Sequence, residues 1–494
     1  MPRNADDRQR LLVRQEEEQE EDEPMLDGGV GAEGVGGGFV PAFLPHGGEG
    51  EYNIDDDRCL LEREHDEVVL MSTAPTAGST LTYCVFYLLG IGTMTPWNFF
   101  VTAEDYWKYK FRNTTLNGTQ LEDELTPLQK SFTCDLTLTA TISGTTFLLL
   151  NAVYGHHITL RAKMLGTLCT IFVLFGITTG FVDVNTDKWQ EQFFLITLII
   201  VVLLNISSAT MSGALYGVAG LFPSEYMTAV VSGQALGGIL TALAFILVLA
   251  FDAGPSTTAF VFFCLGALLI FLCIISYLAM AQRAYFKYYL EGGDKYKVIS
   301  AQPSHSRNED TGVPLEPILR EVMGKIYIQA ASLALLYATT LSVYPAVTVL
   351  MQSEHYESHS PWTDVYYLPV VNYLFFNCGD YFGRLIAGYL ERPTNQQTTL
   401  LWTVVRVVLV PCFLLSNTSE HQFLPTLIQH DYTFIAMIVI FALSNGYLTN
   451  ILLIMAPRSV KQHEKQLASS IMAASLSVGM AAGSLLSLAF VQML

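Results

Sequence analysis

Apolar positions in this chain gather in long unbroken runs, not in the short alternations of soluble strands or one-faced helices. Beyond a polar opening stretch, runs of roughly membrane-spanning length recur at 79–102, 134–155, 163–182, 192–217, 227–250, 257–281, 326–350, 364–390, 399–416, 432–455 and 467–491. Each suffices to carry a helix across a hydrocarbon layer of about 30 Å. The pattern predicts an all-α polytopic membrane protein of about eleven transmembrane helices. No cleavable leader is expected, because the first apolar run begins near Leu81 behind an acidic segment. The longest later polar connection divides the spans into six and five. The predicted domains are therefore a tail over 1–78, an N-terminal bundle over 79–282, a cytosolic linker over 283–325 and a C-terminal bundle over 326–494, a plan typical of carriers that rock around a central site.

Charge sharpens this picture because it is so unevenly spread. Residues 1–78 hold 20 Asp or Glu against 6 Lys or Arg, a net of −14 out of −19 for the whole chain. With its charge run from Glu16 to Glu23 and its Gly-rich stretch from Gly28 to Gly38, this segment buries too little apolar surface to offset chain entropy, and a disordered acidic tail is predicted. It contains two acidic dileucine patterns, Asp7 before Leu11-Leu12 and Asp56 before Leu60-Leu61. These resemble signals read by clathrin adaptor complexes and point to lysosomal or late endosomal membranes. The alternative is a solvated tail with incidental leucines, and a plasma-membrane location.

Lys and Arg concentrate in the loops that share a side with the tail, which places the N-terminus in the cytosol and, with an odd span count, the C-terminus in the lumen. The sequons at Asn113, Asn117 and Asn417 fall on the opposite, lumenal side, where glycans are added. No extended basic surface suggests nucleic acid. Of eight cysteines, Cys59 lies in the tail and seven lie in or beside apolar segments without a CxxC pattern, so free thiols acting as small hydrophobes are expected. His156 and His157 are adjacent and would point apart on a helix. No metal and no cofactor is expected, nor any oligomer beyond a monomer.

The chemistry lies where the apolar pattern is interrupted. Asn377, Asp380 and Arg384 sit inside the run 364–390, spaced by three and four residues so that one helical face carries all three. A charge at membrane depth normally faces an aqueous cavity or a partner, so this stripe is either a solute path or an ion pair that locks helices. In the first run, Pro96 and two glycines weaken the helix beside Trp97, which offers a flat aromatic face or an interfacial anchor. Gln234 interrupts a small-residue stretch, where its amide either reads a solute or ties another helix. Tyr344-Pro345 suits a gate or an ordinary helix end, and Ser444-Asn445-Gly446-Tyr447 adds another amide. No nucleophile and base at catalytic spacing, and no P-loop, occur, so no enzyme is expected. The polar set suits a neutral polyhydroxylated solute.

Taken together, Pro96-Trp97-Asn98-Phe99-Phe100, Ser232-Gly233-Gln234, Asn377-Cys378-Gly379-Asp380-Tyr381-Phe382-Gly383-Arg384 and Ser444-Asn445-Gly446-Tyr447-Leu448 resemble the equilibrative nucleoside transporters, in the family's order, across about 79–494. The long tail looks most like that of the family's lysosomal member. The resemblance implies a fold related to the major facilitator superfamily and downhill nucleoside movement by alternating access. It also implies that Trp97 and Met94 pack against the nucleoside, that Asp380 and Arg384 bind its ribose, and that Asn377 lines the cavity. Tyr344, Pro345 and Tyr373 fall near gating positions. Ser212 stands where plasma-membrane relatives carry a glutamine. The expectation is export of purine and pyrimidine nucleosides, and of nucleobases, from lysosome to cytosol, with acidity acting through Asp380 or Glu225. The alternatives are a proton-coupled carrier of another small polar solute and a receptor that binds without transporting.

Overall fold

The computed structural model describes residues 78–112, 126–154, 158–251, 254–290, 315–356, 360–393, 395–417 and 425–494. The tail with both dileucine patterns, and the sequons at Asn113 and Asn117, lie outside the described residues. Apart from short connections and one isolated bridge between Ser416 and Ile428, the described chain is helical. The helices are α1 (Ser79–Thr102), α2 (Glu104–Lys110), α3 (Pro127–Tyr154), α4 (Leu160–Val182), α5 (Gln190–Ala219), α6 (Ser224–Phe251), α7 (Pro255–Ala281), α8 (Leu315–Val343), α9 (Phe375–Leu390), α10 (Gln396–Arg406), α11 (Leu409–Leu414), α12 (Asp431–Arg458) and α13 (Lys465–Met493). Helices are what such runs must form, because lipid offers no partner to a free backbone N–H or C=O.

Among the described residues, nine helical stretches are long and apolar enough to cross a bilayer. The predicted spans 134–155 and 364–390 fall outside that count for identifiable reasons. Most of the first lies in α3, whose apolar character is diluted by Thr137, Thr139, Thr141, Ser143, Thr145 and Thr146. In the second, the backbone winds as a wider π-helix through Trp362–Tyr366 and Leu368–Leu374 before tightening into the 16 residues of α9. Pro369, which has no N–H to donate, lies in that wider stretch. The run 399–416 is likewise two helices, α10 and α11. α8 starts at Leu315, ahead of the apolar run at 326, because Arg320, Glu321 and Lys325 make this turn too polar for lipid without preventing a helix. Lys325 pairs there with Glu321 at 2.8 Å and with Glu464 at 3.1 Å. α1 runs on through Pro96, a course that neighbouring helices permit in a membrane bundle.

In the first group, α1 packs on α6 and α7, α3 on α5, and α4 on α5 and α7; in the second, α8 packs on α13 and α9 on α12. Between the groups, α6 lies along α9 and α12, and α13 along α3 and α5. Contact between α1 and α6 depends on two glycines that face each other's backbone: a Cβ on Gly90 would strike the Val230 carbonyl, and one on Gly233 would strike that of Tyr87. The cysteines at 84, 169, 264, 273, 378 and 412 are free thiols.

Candidate functional site

The interrupted run folds as its spacing demands. Asp380 and Arg384 lie one turn apart on α9, buried to 5% and 6% exposure, with Oδ2 and Nη2 2.8 Å apart. The other carboxylate oxygen accepts from Asn445 Nδ2 on α12 at 2.7 Å. Arg384 reaches across to α6, where Nη1 donates to the Val231 carbonyl, while its Nε finds no partner among the described residues. Asn450 of α12 donates to the Arg384 carbonyl at 2.7 Å and bonds with Thr228 of α6 at 3.1 Å. α12 comes this close because Gly446 faces the Asp380 carbonyl with no side chain between. The pair is thus held by three helices at the seam between the two groups, with one guanidinium nitrogen uncommitted.

The other predicted residues divide between that seam and the helix packing. Asn377 Nδ2 donates to the Tyr373 carbonyl at 2.8 Å, and its side chain presses against Gly238 of α6. The Gln234 amide is satisfied inside the first group: Tyr216 donates to it at 2.6 Å and it donates to Thr93 at 3.1 Å. It therefore ties α5, α6 and α1 together. Ser212 is half-buried one turn before Tyr216 on α5. Met94 and Trp97 are half-buried on one face of α1, and Trp97 borders a small crevice with Pro96, Phe100, Val201, Leu204 and Asn205. That crevice faces α5, whereas the ion pair faces α6 and α12. Tyr344 stacks on Phe376 with centroids 3.6 Å apart and planes 10° from parallel, a contact within the second group, and Pro345 is exposed. Tyr373 meets Phe245 of α6 edge-on at 6.2 Å, a contact between groups. Asn417 donates its amide to the Gln352 carbonyl at 3.1 Å, and Glu225 is exposed in the first turn of α6.

At the end of the bundle where α1 begins, the groups also meet through polar contacts. Glu391 accepts from Ser224 at 2.6 Å and pairs with Arg458 at 2.8 Å, while Arg458 also reaches Ser224 at 2.8 Å. About two to three turns deeper along α1 and α9, Tyr87 donates to Tyr381 at 2.8 Å.

Sequence reasoning passed over Arg406, a third charged side chain at membrane depth, only 4% exposed. It donates to Ser444, Thr340 and the carbonyls of Leu336 and Phe441, and lies 3.8 Å from the Phe441 ring centroid. The rule that singles out Asp380 applies equally to an arginine within 399–416. Among the described residues no group of three or more His, Cys, Asp or Glu is placed to hold a metal.

These features define a polytopic helical membrane protein with a polar seam between two helix groups. Residues 198–492 match the family model described as Nucleoside transporter. The chain is 30% identical over 440 residues to equilibrative nucleoside transporter 1 of Rattus norvegicus, covering 82% of this chain and 95% of that protein. It is 31% identical over 412 residues to equilibrative nucleoside transporter 3 of Rattus norvegicus, covering 81% and 87%. It is also 31% identical over 455 residues to equilibrative nucleoside transporter 2 of Mus musculus, covering 84% and 98%. The chain belongs to the equilibrative nucleoside transporter family, a family of transporters and not of enzymes. Identity alone does not separate it among these three relatives. A solved Major Facilitator Superfamily transporter, FucP in the outward conformation, aligns over 83% of this chain and 97% of its own with a TM-score of 0.46 and 8% identity.

Proposed function

We propose that this protein moves nucleosides across a membrane by alternating access, with the solute held at the seam between α6, α9 and α12. The supporting observation is the Asp380–Arg384 pair: both side chains are buried, yet Arg384 Nε has no partner among the described residues. A buried donor left unsatisfied costs about 1–3 kcal/mol, and a sugar hydroxyl would satisfy it with a charge-assisted bond. Trp97 and Met94 offer apolar area to the base, and Tyr373 against Phe245 forms the lumenal gate, joined there by Tyr344 and Pro345. The contacts among Ser224, Glu391 and Arg458, with Tyr87 to Tyr381, close the cytosolic end. Under this reading the protein exports nucleosides from lysosome to cytosol, directed there by its dileucine signals.

The test is counterflow in proteoliposomes made from purified full-length protein. Preloaded uridine, adenosine and guanosine should each accelerate entry of labelled uridine, whereas glucose and leucine should not. Acceleration by glucose or leucine instead would make the protein a carrier of another solute. Saturable uridine binding without counterflow would make it a receptor.

A further inference from the structure

Asp380 is held from two sides, and the second hold leads away from the solute. The Thr340 hydroxyl of α8 lies 2.8 Å from Arg406 Nη1, 2.7 Å from Asn445 Oδ1 and 2.8 Å from the Leu336 carbonyl. It has one hydrogen to give. A guanidinium only donates, so Arg406 must donate into the Thr340 oxygen, and the Thr340 hydrogen goes either to Leu336 or to Asn445. Arg406 Nη1 also reaches the Leu336 carbonyl at 3.3 Å, which gives that carbonyl a donor of its own. The Thr340 hydrogen is then available to Asn445. Asn445 needs it: its Nδ2 faces the Asp380 carboxylate, which only accepts, so its Oδ1 must face Thr340, and at 3% exposure that oxygen requires a donor.

We propose that Arg406 and Thr340 are positioning residues, a relay that anchors the oxygen end of the Asn445 amide and so holds Asp380 in place for sugar hydroxyls. Every bond in the chain from Arg406 through Thr340 and Asn445 to Asp380 runs in one donor direction. Loss of the Thr340 hydroxyl leaves Asn445 Oδ1 without its donor, lets the amide shift away from its position beside the carboxylate, and so loosens one of the two holds on Asp380. The relay therefore sets preference for a sugar bearing 2′ and 3′ hydroxyls. This rests on the nucleoside reading above.

The experiment compares uptake of labelled uridine and 2′,3′-dideoxyuridine in proteoliposomes of full-length protein carrying Thr340→Val or Thr340→Ser. Thr340→Val should reduce the uridine preference about three- to tenfold, the worth of one neutral hydrogen bond, and Thr340→Ser should restore it. If Thr340→Val lowers both solutes equally, or leaves the preference intact, the relay is only structural and the proposal falls. If Thr340→Val protein does not fold, Arg406→Lys, which keeps the charge but loses the fork, is measured in the same way. An unchanged preference in Arg406→Lys overturns the proposal. If unsubstituted protein fails to move uridine, the nucleoside reading itself fails and takes this inference with it.

Discussion

The two helix groups solve the problem of packing in lipid by different means. In α1–α7 the interior is a web of rings: Phe100 stacks on Trp107 at 4.7 Å, Trp107 meets Tyr106 at 4.8 Å and Phe132 at 5.3 Å, and Phe222 meets Tyr289 at 4.7 Å. Lys110 is buried there near a helix end, where it donates to the Val182 and Val184 carbonyls at 2.9 and 2.7 Å. In α8–α13 the buried apolar residues divide between that large cluster, which takes in Leu333, Leu452 and Met472, and a second, smaller one around Val343, Phe413 and Phe441, and Asp380, Arg384 and Arg406 are buried at depth. Ring packing tolerates little rearrangement, whereas a hydrogen-bonded network can exchange partners with a solute. On the proposed function, the first group is mainly scaffold and the second supplies the polar working part.

The sharpest way to break that division is to remove charge from the second group. Asp380→Asn leaves Arg384 buried without its ion, and breaking a buried pair from one side costs about 3–5 kcal/mol. Uridine uptake should fall at least about a hundredfold, and thermal stability should fall with it. The neutral double variant Asp380→Asn with Arg384→Gln should recover stability but not uptake. Recovery of both would mean that the pair only bolts helices together.

The scaffold side predicts the reverse. Trp107 is 2% exposed and donates its indole N–H to the Phe100 carbonyl at 3.0 Å. Trp107→Ala should cost about 3–5 kcal/mol of stability, read as a lower melting temperature in detergent, while the KM for uridine stays within about twofold. A large rise in KM at unchanged stability would place the working site in the first group.

Much of this division was legible in the apolar pattern, because a charge within a span is conspicuous. The spacing of Asn377, Asp380 and Arg384 put them on one face, and they occupy one face. Pattern alone could not tell that Gln234 ties helices: its partners, Tyr216 and Thr93, lie on two other helices. Nor did it foretell the π-helical winding before α9, which depends on how Pro369 is accommodated by its neighbours. The helical turn from Leu315 reads as linker because hydropathy detects lipid contact and is blind to helices that project into water. Arg406 was visible in the sequence. Its role was not, since Thr340 and Asn445 are brought to it from α8 and α12.

A smaller effect is expected where the groups meet near the start of α1. Glu391 and Arg458 are partly exposed, so their pair is worth about 0.2–1 kcal/mol. Glu391→Gln should raise the open population at that end by up to about fivefold. Spin labels on Arg283 and Tyr389, both exposed on opposite groups, should report a larger fraction of long distances. An unchanged distribution would make the cluster a surface decoration.

The finest test of the comparison concerns a hydroxyl pair through which an α1 ring reaches the second group. Tyr87 donates to Tyr381 at 2.8 Å, and both rings would stay packed as phenylalanines, so Tyr87→Phe and Tyr381→Phe remove the bond with little change in volume. A neutral hydrogen bond contributes about 0.5–1.5 kcal/mol. If it forms only when this end is closed, each substitution should raise the open population about two- to tenfold. Because either change deletes the same bond, the double variant should do no more than a single one, and the coupling should equal one single effect. Additive effects would mean that each hydroxyl acts through its own surroundings, and the contact would then belong to the scaffold, with no part in closing the seam.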